Sequence, residues 1–363
     1  MTAKIVEVVA REYCLTKPFT FVERTRIIDS IPDYHLLLKP IVAGICGSEM
    51  LYFKGQKELE KLAKRLPMCL LHEGVAEVVK TGAGTTILPK TRVVVNPLVP
   101  CGKCFACMNL QENLCYEAKY MAANVDGLAR TFFLYPESRV IPVPEDIELE
   151  VAALSEPISV ALNAVEASGI KEGEKVAVIG DGAIGFLVAS VVSSMVRIPH
   201  ENLFFIGVVD GKLSMARDFA TILNSYKEKQ RLEELFGKID VVFEAAGGGA
   251  HKSTVSQSIR LLRLGGRCIL LGISSGEVSV AITNIVNKNL MFRGITRSKM
   301  EHFVKVLDLL RNNESFRSKV KRAISDKNFV IRSAKDLEDA FRYADTEAGE
   351  AHLNPGRVLV KFP

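Results

Sequence analysis

The sequence has no tryptophan, only six histidines among 363 residues, no block of like charge, and no apolar run long enough to cross a bilayer. Each absence excludes something. A membrane-spanning helix needs about 18 or more apolar residues in succession, and the longest candidate, GFLVASVVSSMV, is shorter and carries three serines. The 47 basic and 42 acidic side chains leave a net charge of +5 but are scattered and lack interleaved aromatics, so neither nucleic acid nor a membrane is an expected partner. The small positive surplus suits an anionic small molecule. The opening MTAKIVEVVAREYC lacks the basic, apolar and small-residue succession of a secretory signal, which points to the cytoplasm. In that reducing compartment the eight cysteines are expected as thiols or metal ligands.

The length allows two domains whose apolar cores need no covalent staples. To about residue 150, strand-length apolar runs such as HLLLKPIVAGICG and SRVIPVPEDI are punctuated by turn formers, as in an irregular β domain. From about residue 160 strands alternate with helical patterns: KVAVIG, NLFFIGVVD followed by KLSMARDFATIL, IDVVFEAAG followed by STVSQSIRLLRLGG, then RCILLGIS. Such alternation predicts an α/β domain, a parallel sheet with helices on both faces. Met300, Phe303, Leu307 and Leu310 share one helical face, and GRVLVKF reads as a closing strand.

VAVIGDGAIG places Gly180, Gly182 and Gly185 directly after a strand and at the opening of a helix. Gly180 serves the tight turn, Gly182 lets backbone approach a pyrophosphate, and Gly185 lets helix pack on strand; Asp181, Ala183 and Ile184 complete the turn. Free amides and the positive end of the helix dipole then face the phosphates. The second strand ends at Gly207, where NAD-binding chains commonly carry an acid for the ribose diol, so NADP(H) is favoured over NAD(H). Asp210 argues the other way, and Lys212 is the nearest candidate cation for a 2′-phosphate.

Cys101, Cys104, Cys107 and Cys115 are spaced C-x2-C-x2-C-x7-C. Four thiolates so close can close a tetrahedron around Zn²⁺ with no open position, which makes the site structural; an iron–sulfur cluster uses the same number of ligands. A second candidate set comes from separated segments: Cys46 in GICGSE, His72 and Glu73 in LLHEGVAEVV, and Glu156 in LSEPISVALNA. Three such ligands with a fourth position left open meet the needs of a catalytic zinc. The other histidines, His35, His200, His251, His302 and His352, have no comparable setting.

In number and order the CGSE segment, the HE pair, the four-cysteine lobe, the EP segment, the GDGAIG turn and the C-terminal return resemble the medium-chain zinc-dependent alcohol and polyol dehydrogenases. That resemblance implies a GroES-like β-rich catalytic domain, residues 1–158 and 297–363 with a zinc lobe at about 99–117, and a Rossmann doubly wound nucleotide domain, 159–296. It implies Cys46, His72 and Glu156 as catalytic zinc ligands, Glu73 beside the metal, Ser48 in the proton relay, two zinc ions per chain, and a homodimer or homotetramer. Where many relatives carry a relay histidine five residues after the cysteine this chain has Leu51, and Leu71 replaces the usual glycine before His72.

Two branches share the likeness. RLPMCLLHEGVAEVV, FEAAGGGAHKSTVSQSI and GITRSK are similar to NADPH-linked ribulose-5-phosphate reductases, whereas CGSEMLYF and EPISVALNA resemble sorbitol dehydrogenases. The expected function is hydride transfer between NADP(H) and a ketose or polyol, such as ribulose 5-phosphate reduced to ribitol 5-phosphate. The alternatives are an NAD-dependent polyol or secondary-alcohol dehydrogenase and a non-catalytic nucleotide-binding protein. Tyr52, Arg65 and Arg297 are candidate substrate residues, with Lys54 and Arg130 behind them.

Overall fold

The computed structural model describes residues 4–273, 277–349 and 356–363, so His352 lies outside the described residues. Its first element is a long antiparallel hairpin, Lys4–Lys17 with Thr20–Ile31, whose inner strand also pairs with Met68–Cys69. A second sheet runs in the spatial order Val140–Pro142, Arg92–Val95, Glu73–Thr81, His35–Gly44, Arg357–Lys361 and Ile324–Val330, with Phe133–Pro136 also pairing on His35–Gly44. The chain thus leaves this sheet, builds another, and returns to place Arg357–Lys361 antiparallel to His35–Gly44.

The third sheet has six parallel strands: Val176–Ile179, Leu203–Gly207, Thr221–Asn224, Ile239–Glu244, Leu262–Leu270 and Met291–Gly294. Numbered along the chain, their spatial order is 3-2-1-4-5-6, so the order reverses beside the first strand, where a doubly wound sheet opens its ligand crevice. Both faces are covered. Val176, Val178, Phe205 and Phe243 face one apolar cluster while Ala177, Ile179, Ile206 and Val242 face another, the period-2 alternation of a strand buried on two sides. Helix Ser155–Ser168 joins the sheets: its Ile158, Ala161 and Leu162 share one core with Val42 and Val75 and with Val176 and Val178.

Three expectations are corrected. Helix Asp210–Ser214 takes in only the first three residues of KLSMARDFATIL; Thr221–Asn224 is a strand, because its residues pair with the free edge of Leu203–Gly207. The helix over STVSQSIRLLRLGG is His251–Leu261, and Leu262 begins the next strand. Cys14 and Cys69 stand directly opposite each other across the antiparallel pair, Cα atoms 4.0 Å apart, and are joined as a disulfide rather than remaining thiols or metal ligands. Among the described residues no helix is long and apolar enough to cross a membrane.

Candidate metal and nucleotide sites

Four segments converge at one end of the second sheet. Cys46 precedes helix Gly47–Phe53, His72 precedes strand Glu73–Thr81, Glu73 pairs across to Gly44, and Arg357 opens the returning strand. The ligand atoms of Cys46, His72 and Glu73 all lie within 4.8 Å of one another. His72 Nδ1 is 2.7 Å from Glu49 Oε1, whose other oxygen accepts from the Cys46 amide at 3.0 Å, so one carboxylate orients both residues and leaves His72 Nε2 turned inward. A ligating histidine held from behind by a carboxylate is the usual arrangement around a metal. Ser48 Oγ donates to Cys46 Sγ at 3.4 Å.

Glu73 is fully buried, its Oε2 2.9 Å from Arg357 Nε, and its carboxylate oxygens accept no conventional hydrogen bond. Gly44 is required beside it, since a Cβ there would stand 2.8 Å from Glu73 Oε2. Glu156, on the first turn of helix Ser155–Ser168, does not join the three-residue cluster; it accepts from Tyr120 Oη at 2.9 Å, and the Tyr120 ring stands 5.7 Å from that of His72.

Burial dominates the electrostatics. It pushes the Glu73 carboxyl well above the carboxylate range, against the pull of Arg357, and pushes Glu156 up to about 7. Burial likewise opposes ionisation of Cys46, but the Arg357 and His72 charges outweigh it and bring the thiol to about 7. His72 is desolvated, yet Glu49 and Cys46 hold it well above the ordinary histidine value. Thiol, imidazole and carboxylate together with an unsatisfied buried acceptor fit a borderline-soft dication, which would replace protons as the group neutralising this set.

Cys101, Cys104, Cys107 and Cys115 also meet within 4.8 Å. Sulfur separations of 3.5 Å for Cys104 with Cys107 and 4.0 Å for Cys101 with Cys107 bracket the ~3.8 Å edge of a tetrahedron with Zn–S distances of ~2.3 Å. The Cys107 amide helps bring Cys104 down to about 6, whereas desolvation pushes Cys107 up to about 12.

The nucleotide crevice is a cavity of about 460 Å³ between the sheets, lined by Gly180, Asp181, Gly182, Ala183 and Gly207 at one end and by Ile45, Gly47 and Arg357 at the other. Gly180 has φ +118°, and a Cβ on it would strike Ala246; a Cβ on Gly185 would stand 1.9 Å from the Gly180 oxygen, while one on Gly182 would meet nothing. The turn is therefore closed behind and open in front, as backbone recognition of phosphate requires. Gly207 is explained by Asp181: a Cβ at 207 would come within 2.5 Å of its carboxylate, which accepts from the Val208 and Val209 amides at 2.7 and 2.8 Å. Asp210 turns away, bonded to Lys227 and Asn224. Lys212 lines the cavity, as does Ser225, which the sequence did not single out.

The substrate candidates scatter. Arg297, at φ +53°, gives Nη1 to the carbonyls of Asn113 and Cys115 and stacks 5.6 Å from the Tyr120 ring. Lys54 pairs with Asp345, and buried Arg130 bonds the Asp126 carbonyl beside Glu12, so neither is free for substrate. Tyr52 donates to the Ala123 carbonyl at 3.5 Å, and Arg65 is exposed. Sequence reasoning missed Glu49, Tyr120 and Arg357. Glu49 had a local signal, an acid three residues after Cys46 at a helix start; the other two are set by long-range packing.

A parallel-sheet nucleotide crevice opening onto a half-buried thiol with a buried imidazole and buried carboxylates defines a nucleotide-linked metal dehydrogenase. Residues 32–145 match the alcohol dehydrogenase GroES-like domain and residues 202–312 the zinc-binding dehydrogenase model. The chain belongs to the zinc-type medium-chain alcohol and polyol dehydrogenase family, and is a zinc-dependent, NAD(P)-linked dehydrogenase. Ribulose-5-phosphate reductase 1 of Staphylococcus aureus is 28% identical over 332 residues, 91% of this chain and 94% of that one. Sorbitol dehydrogenase 1 of Saccharomyces cerevisiae is also 28% identical, over 75% of this chain and 78% of its own. The crystal structure of S. aureus TarJ in complex with NADPH has a TM-score of 0.79 at 25% identity, covering 98% of this chain and 100% of that chain.

Proposed function

We propose that this dehydrogenase reduces a ketose or ketose phosphate with NADPH, ribulose 5-phosphate to ribitol 5-phosphate being the leading pair. One hydride goes to the carbonyl carbon and one proton to its oxygen, so NADPH and a proton are consumed for each polyol formed. The observation that carries the cofactor choice is the end of strand Leu203–Gly207: Asp210 is held by Lys227 and Asn224, and Lys212 and Ser225 line the adjoining crevice. A cation and a hydroxyl there suit a 2′-phosphate.

Cys46, His72 and Glu156, with Glu73 beside them, would hold a catalytic zinc; when bound, the metal supplies the electrophile and the nicotinamide the hydride. The chain's own residues do the rest. Glu49 fixes the His72 ring, Arg357 balances Glu73, and Tyr120 Oη aims Glu156. Ser48, whose hydroxyl bonds Cys46 Sγ, would pass a proton to the substrate oxygen. Ile45, Ile179, Ile206 and Val358 give the crevice apolar walls that limit water. The reading includes a second, structural zinc on the four cysteines, a cytoplasmic setting and a homo-oligomer.

A second reading, NAD-linked oxidation of a free polyol, is favoured by the Asp181 carboxylate at the strand end, where it could meet a ribose diol. The deciding experiment follows oxidation of NADPH and of NADH by zinc-replete protein with D-ribulose 5-phosphate or D-ribulose, and reduction of NADP and NAD with a polyol panel. Turnover confined to NADPH and the phosphorylated ketose supports the first reading; turnover confined to NAD and free polyols replaces it with the second.

A further inference from the structure

The cysteine lobe and the catalytic cluster meet at one side chain, Tyr120. Strand Lys119–Tyr120 pairs with Leu98–Val99, and these two short strands are the root of the loop that carries the four cysteines. The Tyr120 ring packs against the lobe's own apolar base of Leu98, Cys115 and Ala118. Its hydroxyl leaves the lobe and donates to Glu156 Oε1 at 2.9 Å, and its ring stands 5.7 Å from that of His72. One residue therefore belongs to the base of the first cluster and to the flank of the second.

Arg297 holds that residue from the other side. Its guanidinium lies 5.6 Å from the centroid of the Tyr120 ring, within reach of a cation–π contact, and among the described residues no carboxylate pairs with it. Its Nη1 donates instead to the carbonyls of Asn113 and Cys115, each at 3.4 Å. The Arg297 backbone is at φ +53°, a conformation that a residue with a side chain keeps only where its surroundings hold it there. They do so on both sides. The Met300 amide donates to Glu112 Oε1 in the lobe at 2.8 Å, and Asn163 Nδ2 donates to the Arg297 carbonyl at 2.8 Å. Ser298 Oγ lies 2.6 Å from Ser159 Oγ, which donates to the Glu156 carbonyl at 2.6 Å. The segment around Arg297 is thus a bridge from the lobe to the helix that begins at Glu156.

We infer that Tyr120 and Arg297 are positioning residues through which the cysteine lobe sets the aim of the Glu156 carboxylate. The inference rests on the two-zinc reading above and gives the lobe a task beyond stapling its own loop. Four cysteines closed on a metal fix the Cys115 carbonyl and the base beneath the Tyr120 ring. An open lobe releases both, and with them the hydroxyl that holds Glu156. Removing such an outer partner of a metal ligand typically costs ~10- to 100-fold in metal affinity or activity.

The test is a double-mutant cycle on Tyr120→Phe and Arg297→Met. It is read by kcat, with the cofactor and substrate the enzyme turns over fastest, and by the rate at which a chelating dye strips zinc. The release phase missing from Cys46→Ala identifies the catalytic metal. Tyr120→Phe should lower kcat and speed that phase by ~10-fold each, and Arg297→Met by a smaller factor, while NADPH affinity, read by fluorescence, hardly moves. The double variant should match Tyr120→Phe alone, because Arg297 then has no hydroxyl left to aim. Cys104→Ser, which opens the lobe, should also speed release of the catalytic zinc, and far less so in a Tyr120→Phe background. Should Arg297→Met fail to fold, Arg297→Lys completes the same cycle.

Wild-type release and kcat in Tyr120→Phe overturn the inference. So do losses that multiply in the double variant, since the two side chains then act separately. An equal effect of Cys104→Ser with and without the Tyr120 hydroxyl removes the lobe from the chain and overturns it as well. If wild type binds only one zinc, the two-zinc reading fails instead, and the kcat cycle still decides whether Arg297 acts on the reaction through Tyr120.

Discussion

The two cysteine-bearing clusters are opposites in construction. One is drawn from fifteen consecutive residues of a surface loop, with only Cys115 buried and little more than Leu98 and Ala118 as an apolar base. The other draws Cys46, His72, Glu73, Glu156 and Arg357 from separate segments and seats its carboxylates and its arginine in the core. A local set brings its donors together through short loops, and a metal there contributes folding energy outright. A distributed set exists only once the whole fold has formed, so its geometry is the fold's product. The first suits a staple and the second a reaction centre.

That contrast can be broken or sharpened by experiment. The largest effect is expected from a paired substitution, Cys46→Ala against Cys104→Ser. The first should lower kcat by ~1,000-fold or more while NADPH affinity, read by cofactor fluorescence, stays within about threefold. The second should remove one zinc equivalent by metal analysis and lower the thermal midpoint, with a much smaller loss of kcat per folded chain. Equal kcat losses would erase the distinction. Some transmission is expected, because the lobe's Cys115 carbonyl holds Arg297, which stacks on Tyr120, which bonds Glu156.

Next in size is Arg357→Met, which removes the cation that pulls against burial at Glu73 and leaves that carboxyl to be buried in its protonated form. Denaturant unfolding should show a loss of roughly 3 kcal/mol, and adding Glu73→Gln should recover part of it. The lobe's own ion pair, Glu112 with Arg139 at 2.9 Å, is only partly buried, so breaking it should cost less.

The smallest effect is a pH slope. Burial raises Glu156 in the folded chain to about 7 from an ordinary 4.5. The folded state therefore binds more protons than the unfolded one between those values. In chelator-treated protein this group's contribution is fully present below about 4.5 and is lost as pH rises through about 7. Thermal stability of metal-free protein should thus decline from pH 5 to 8, and Glu156→Gln should flatten the decline. A metal-free profile identical in the two proteins would show that Glu156 carries no such proton.

What the sequence disclosed follows the same division. The four cysteines and the GDGAIG turn are local, and spacing alone announced them. The three-ligand cluster was legible only as a constellation, and its contacts divide differently from expectation: Glu73 stands with Cys46 and His72, while Glu156 is engaged by Tyr120. Tyr120 and Arg357 carried no signal because their neighbours lie far along the chain. Nor could the sequence say that Leu71, in place of a glycine, would be held at φ +74° with its side chain wholly buried. Gly207 was read as a mark of cofactor choice, yet its nearest physical cause is the room that Asp181 takes.

The return of the chain to its first sheet also sets an order in time. The four cysteines are synthesised together and can meet their metal while the ribosome is still working. Arg357, the partner of Glu73, is made only after the entire nucleotide-binding sheet, on the order of tens of seconds later at typical elongation rates. Until then the Glu73 carboxylate has no buried cation to meet. A nascent chain therefore carries a finished lobe and an unfinished reaction centre, and hydride chemistry cannot start before the nucleotide crevice that must contain it is already built.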